Sequence, residues 1–178
     1  MERFLKVGFE IDHLKLIKMK RLFIAAAVLL MGLGAQAQSG QFKIGVNVGL
    51  PVGDAADISS FTAGADAAYL WNVAPSFQVG PTVGFQNYFI KSEFKDAGGE
   101  NFNYIPLAAS AQYSIVPEFF IGADLGYGVV TSTGGGGGFY YMPKIGYQQS
   151  SWEAYAGYRG LSDEGSVSAI NLGVNFKF

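Results

Sequence analysis

Six charged side chains, Lys43, Asp66, Asp124, Lys144, Glu153 and Arg159, stand inside stretches otherwise made of apolar and small residues. Three carboxylates among three cations could perform acid–base chemistry, one acid held protonated and another ionised. They could equally neutralise one another as hydrogen-bonded ion pairs. The rest of the sequence favours pairing. Beyond residue 37 there is no histidine and no cysteine, so the commonest general base and the thiolate nucleophile are both missing.

Two further stretches invite a chemical reading. Gly134 to Gly138 is an unbroken glycine run, but a phosphate-cradling loop needs Lys and Ser or Thr after its last glycine, and a helix behind them. Here Phe-Tyr-Tyr-Met-Pro follows, so the run reads as a flexible surface loop. Asp54 and Asp57, in "GDAAD", carry the oxygen ligands that calcium takes; two acids at that spacing fall far short of an EF-hand loop, and they read as part of a solvated acidic rim. No catalytic, cofactor-binding or metal-binding residue is therefore expected, and no cofactor.

The elements that carry these residues begin after a leader. From Met19 the chain reads "MKRLFIAAAVLLMGLGAQAQS": a basic start at Lys20 and Arg21, an apolar run from Leu22 to Leu33, then Ala35-Gln36-Ala37. The run is too short to span a bilayer as a helix, and the small residues form an A-x-A cleavage signal. Residues 19–37 are thus expected to be a signal peptide cleaved after Ala37. Residues 1–18 form an upstream extension, with the start of translation at Met1 or Met19 left open. The remaining 38–178 carries six Lys/Arg against eleven Asp/Glu, a net charge of −5, which leaves no basic patch for nucleic acid.

Within 38–178 a two-residue period dominates, predicting eight strands. Their apolar phases run from Phe42 to Leu50, Phe61 to Val73, Phe77 to Phe89, Ile105 to Ile115, Phe119 to Val129, Phe139 to Tyr147, Trp152 to Tyr158 and Ile170 to Phe178. The connections alternate: 51–60, 91–101, 131–138 and 161–166 are longer and rich in Gly, Asp, Glu and Ser, whereas 74–75, 116–118 and 148–151 are tight turns. Every charged residue within the strands, Lys177 included, falls opposite the apolar stripe. Aromatics gather at both strand ends, as two interfacial belts would require. Alternating strands of about ten residues, in even number, with loops at one end and turns at the other, predict an up-and-down antiparallel barrel whose apolar face meets lipid. Pro81, Pro106 and Pro143 cut against this, since a closed barrel offers no free edge. The latter two are expected where pairing has ended, and Pro81 leaves the third strand's register open.

The opening "KIGVNVGLPVGD", the "YIPL" and "YYMPKIGY" segments and the terminal Phe178 resemble the small eight-stranded outer-membrane β-barrel domains of Gram-negative bacteria, the OmpA/OmpX-like superfamily. The resemblance implies an integral outer-membrane protein; some relatives in the wider barrel group are lipid-modifying enzymes or proteases, but with no histidine or cysteine in 38–178 a non-enzymatic structural, surface-interaction or adhesion-type role is expected here. The resemblance also implies that the terminal strand, through Phe176 and Phe178, is an assembly signal read by the outer-membrane insertion machinery; outer-membrane lipid would be the other partner, and the loops' partner stays open. Two alternatives remain at this point: a narrow channel or transporter for small or apolar solutes, and a secreted, soluble, lipocalin-like ligand-binding barrel.

Overall fold

The structure, a computed structural model, describes residues 40–96, 98–132, 134–162 and 165–178. The signal peptide and the upstream extension lie outside the described residues. The strands are β1 (Gly40–Val52), β2 (Ser59–Ala74), β3 (Phe77–Ile90), β4 (Phe102–Val116), β5 (Phe119–Val130), β6 (Gly137–Gln148), β7 (Trp152–Ser162) and β8 (Ser166–Lys177), with short helices α1 (Asp54–Ile58) and α2 (Ser92–Asp96) in the first two long connections. Each strand pairs antiparallel with the next, and β8 pairs with β1, so the sheet closes on itself in chain order. Reciprocal backbone bonds between Phe42 and Phe178, of 3.2 and 2.8 Å, make the last rung of that closure. No described helix is long and apolar enough to cross a membrane, which says nothing of strands.

The pleat sorts the residues as the alternation predicts. On β1 the outward Ile44, Val46, Val48 and Leu50 are exposed, while Lys43, Gly45 and Asn47 between them are buried. The exposed large hydrophobics continue around the whole barrel, among them Leu107, Leu125, Ile145 and Leu172, whereas the buried set includes Lys43, Gln86, Asp124, Glu153 and Arg159. A soluble barrel does the opposite, because burying apolar side chains is its main source of stability. This one is built for an apolar solvent outside.

Three expectations need correction. The fourth long connection shrinks to residues 163–165, because Leu161 and Ser162 continue the ladder opposite Val167 and Ser166. Tyr88, Tyr104, Phe120 and Tyr140, placed by the aromatic count in the belts, are buried in the lumen; each neighbours an outward residue such as Phe89, Phe119 or Phe139, so the pleat turns it inward.

The prolines behave differently from the expectation too. Pro106 and Pro143 sit well inside the paired region, opposite Gly128 and Ala123, and Pro81 keeps its register opposite Ala109. A residue's N–H and C=O point to the same neighbouring strand. Each proline therefore disturbs one ladder and spares the other. The pairing skips between Ala68↔Thr82 and Trp71↔Val79, between Val83↔Leu107 and Gln86↔Tyr104, and between Tyr141↔Gly160 and Lys144↔Gly157. Closure tolerates the missing donors because no strand loses both partners at one level.

Candidate functional site

Inward-facing residues fill the barrel from end to end, starting beside the short turns. Glu153 on β7 is the hub there. Its Oε2 accepts from Lys43 Nζ at 2.7 Å and Gln112 Nε2 at 3.3 Å, and its Oε1 from Asn175 Nδ2 at 2.9 Å. Lys177 Nζ lies 3.5 Å from the same carboxylate and donates to Gln148 Oε1 at 3.1 Å. Lys43 also donates to Gln112 Oε1 at 2.9 Å. Four strands thus meet at one buried carboxylate, and Gln148 ties β6 into the same network.

Midway along the barrel, Arg159 is 1% exposed. It donates to Asn47 Oδ1 at 2.9 Å and lies 3.5 Å from Asp66 Oδ2. Asp66 also accepts from Asn47 Nδ2 at 2.6 Å, Tyr155 Oη at 3.3 Å and Gln86 Nε2 at 3.4 Å. Across the lumen Lys144 Nζ bonds both oxygens of Asp124, at 2.8 and 2.9 Å, and sits 5.7 Å from the Tyr155 ring centroid. All six residues singled out from sequence come together here as three ion pairs, and every carboxylate faces a cation. A charge buried without a partner costs several kcal/mol, so the pairing is what makes these side chains tolerable inside.

The space is filled by matching glycines to long side chains. A Cβ on Gly146 would lie 2.5 Å from the Phe120 ring, and one on Gly173 would lie 2.5 Å from Tyr155 Oη. Among the described residues, the cavity left between the ion pairs measures about 20 Å³, room for roughly one water. No group of three or more His, Cys, Asp or Glu that could hold a metal ion occurs among the described residues.

At the loop end the lining becomes aromatic. Tyr88, Tyr104 and Tyr140 pack with Met142, Leu161, Ala169 and Ala55 of α1, with Tyr88–Tyr104 and Tyr104–Tyr140 centroids 6.2 and 6.4 Å apart. The Tyr88 and Tyr104 hydroxyls are both buried. Phe102 lies over this layer, 6.0 Å from the Tyr88 centroid. Phe176 and Phe178, at the opposite end, are exposed on the outer face.

Reasoning from charges alone missed the amides. Gln112, Gln148, Asn175 and Asn47 supply nearly half of the network's contacts, and their signal was the same alternation: polar amides on the inward phase of apolar strands. For the pairs themselves we expect Asp124→Ala to lower stability by about 1–3 kcal/mol, since Lys144 loses its partner inside. Asp96→Ala in α2, on the surface, should change it by less than about 0.5 kcal/mol. Equal urea midpoints for the two variants would contradict the ion-pair account.

A closed, chain-ordered barrel of eight strands, apolar outside and polar within, is the architecture of the small outer-membrane barrels, the fold that the sequence resemblance implied. Among solved structures, the chain is similar to Ail, the attachment invasion locus protein of Yersinia pestis, with 14% identity over 78% of this chain and 97% of that one, at a TM-score of 0.56. The same protein in a phospholipid bilayer nanodisc matches with 13% identity over 79% of this chain and 100% of that one, at 0.53. Its complex with the heparin analogue sucrose octasulfate matches with 16% identity over 78% and 97%, at 0.53. No protein-family model and no curated protein sequence matches the chain.

Proposed function

We propose that the chain is a non-enzymatic integral protein of the Gram-negative outer membrane, its barrel an anchor and its loops a surface-interaction face. The observation that carries this reading is the inverted distribution of polarity: an apolar exterior of exposed aliphatic and aromatic side chains around a lumen lined by paired charges. An eight-stranded barrel is just wide enough for its own side chains. The cavity of about 20 Å³ between the ion pairs is small enough to argue against the channel reading. The exposed aliphatic band argues equally against a soluble, lipocalin-like barrel. Each acid within the lumen is already engaged by a cation, which leaves no free carboxylate there for acid–base work.

For the surface face, Ail offers a guide and a contrast. Its structure with a heparin analogue shows that protein holding a polyanion. The long connections of this chain hold Asp54, Asp57, Glu93, Asp96, Glu100, Asp163 and Glu164 against only Lys91 and Lys95. Like charges repel such a ligand, so the partner here is neutral or cationic.

Membrane fractionation, with a gel comparing boiled and unboiled samples, tests the location. We expect the protein in the outer-membrane fraction with a heat-dependent mobility; a soluble protein of constant mobility would refute the reading. Planar-bilayer recordings are expected to show no steady conducting steps. The terminal strand is tested by deleting Phe178, which we expect to reduce assembled barrel several-fold while export is unchanged; an equal loss of both would remove the assembly role.

A further inference from the structure

We infer that the loop end of the barrel carries a binding pocket for a small amphiphilic cation. Above the tyrosine layer lies an open hollow of about 410 Å³, lined by Ile58, Phe102, Val130, Leu161 and Val167 with Asp54 beside them. That volume lies in the range of small-molecule sites, which are mostly apolar with a few placed polar groups. Four places at this end of the barrel contribute to it: α1, the start of β4, the β5–β6 glycine segment through Gly135 and Gly137, and the β7–β8 turn through Gly165 and Ser166.

Two features define the occupant. The floor is sealed, because Phe102 rests on Tyr88 and Tyr104 with centroids 6.0 and 5.8 Å away, so a ligand entering from outside stops there and does not pass into the lumen. The rim is acidic. Asp54 lines the hollow and Asp57 follows it on the same helix. No Lys or Arg is among the described residues lining it. Lys91, whose backbone amide bonds the Ile58 carbonyl at 2.9 Å, is the neighbouring cation, and the acids outnumber it. An apolar floor beneath a negative rim complements a molecule with an apolar body and a positive group, and repels an apolar anion of the same shape.

The inference rests on the proposal that the loops face outward, and one experiment separates the two. The full barrel is placed in nanodiscs of zwitterionic lipid with methyl-labelled Leu and Val, and titrated with tetraphenylphosphonium and, separately, with the isosteric anion tetraphenylborate. Saturable shifts at Leu161, Val130 and Val167 are expected with the phosphonium ion, and weaker binding at these methyls with the borate. Asp54→Asn, on the surface, should weaken phosphonium binding about three- to tenfold, the scale of one partly screened charge, and Val167→Phe should abolish the shifts by filling the hollow. Shifts that never saturate, tighter borate binding at these methyls, or an Asp54→Asn variant with unchanged phosphonium affinity would overturn the pocket. The same samples on an unheated gel report the barrel, so a folded, heat-modifiable protein without saturable shifts refutes the pocket alone.

Discussion

Replacing Glu153 by alanine is expected to destabilise the barrel by about 3–5 kcal/mol, the largest loss of any single substitution in the lumen. The carboxylate faces two lysines, Lys43 at 2.7 Å and Lys177 at 3.5 Å, and Lys43 is only 2% exposed. Removing the acid leaves two positive charges facing each other in a space without room to hydrate them. The cost arises from those stranded lysines more than from the lost bonds, which makes it partly reversible by a second change. Lys43→Met combined with Glu153→Leu takes away one of the two stranded lysines along with the acid, and should recover part of the stability, Lys177 alone being left without its partner. Urea unfolding in lipid vesicles, read from the mobility of the folded form, measures both. A Glu153→Ala variant within about 1 kcal/mol of the parent would show water reaching these groups, contrary to the packing described here.

The second large effect concerns the outside. Leu172, in the middle of β8, is 61% exposed, and in a water-soluble protein an exposed Leu→Arg change would alter stability by no more than about 0.5 kcal/mol. In a bilayer the same substitution places a guanidinium near the hydrocarbon midplane, costing about 2–4 kcal/mol, while one near the interface costs about 0–1 kcal/mol. Val116, also exposed, ends β4 beside the turn. Leu172→Arg should therefore lower the folded fraction in vesicles strongly and Val116→Arg weakly. Equal effects would leave the depth dependence, and with it the membrane reading, without support.

How much of this was legible in the residues depends on the range of the interaction involved. Alternation is local: Ile44, Val46 and Val48 against Lys43, Gly45 and Asn47 needed only their own strand to assign each to a face, because lipid and lumen impose opposite costs on successive residues. Partner choice is not local. Lys43 and Glu153 are 110 positions apart, and nothing short of closing β8 onto β1 brings them together; the same holds for Arg159 and Asn47, 112 apart. Tyr88 and Phe89 show an intermediate case. Both are aromatic, so composition placed both in a belt, while the pleat allows only one to face out. The mouth hollow was beyond reach because four separate places build it, and two of them became helix or strand where a loop was expected.

The skipped rungs beside the prolines divide the wall unevenly. From β7 through β8 and β1 to β2 the ladders run without a break, and so do those joining β4, β5 and β6 apart from a bulge at Ser114 and Val116. Only β3 meets an incomplete ladder on each side, with the third gap between β6 and β7. Mechanically the cylinder is two stiff staves, one of four strands and one of three, with β3 as the strip between them. Lateral pressure from the surrounding lipid would be taken up along these seams, and amide exchange should be fastest there. The wider stave contains the first and the last strand, and the seam joining them is among the firmest in the wall.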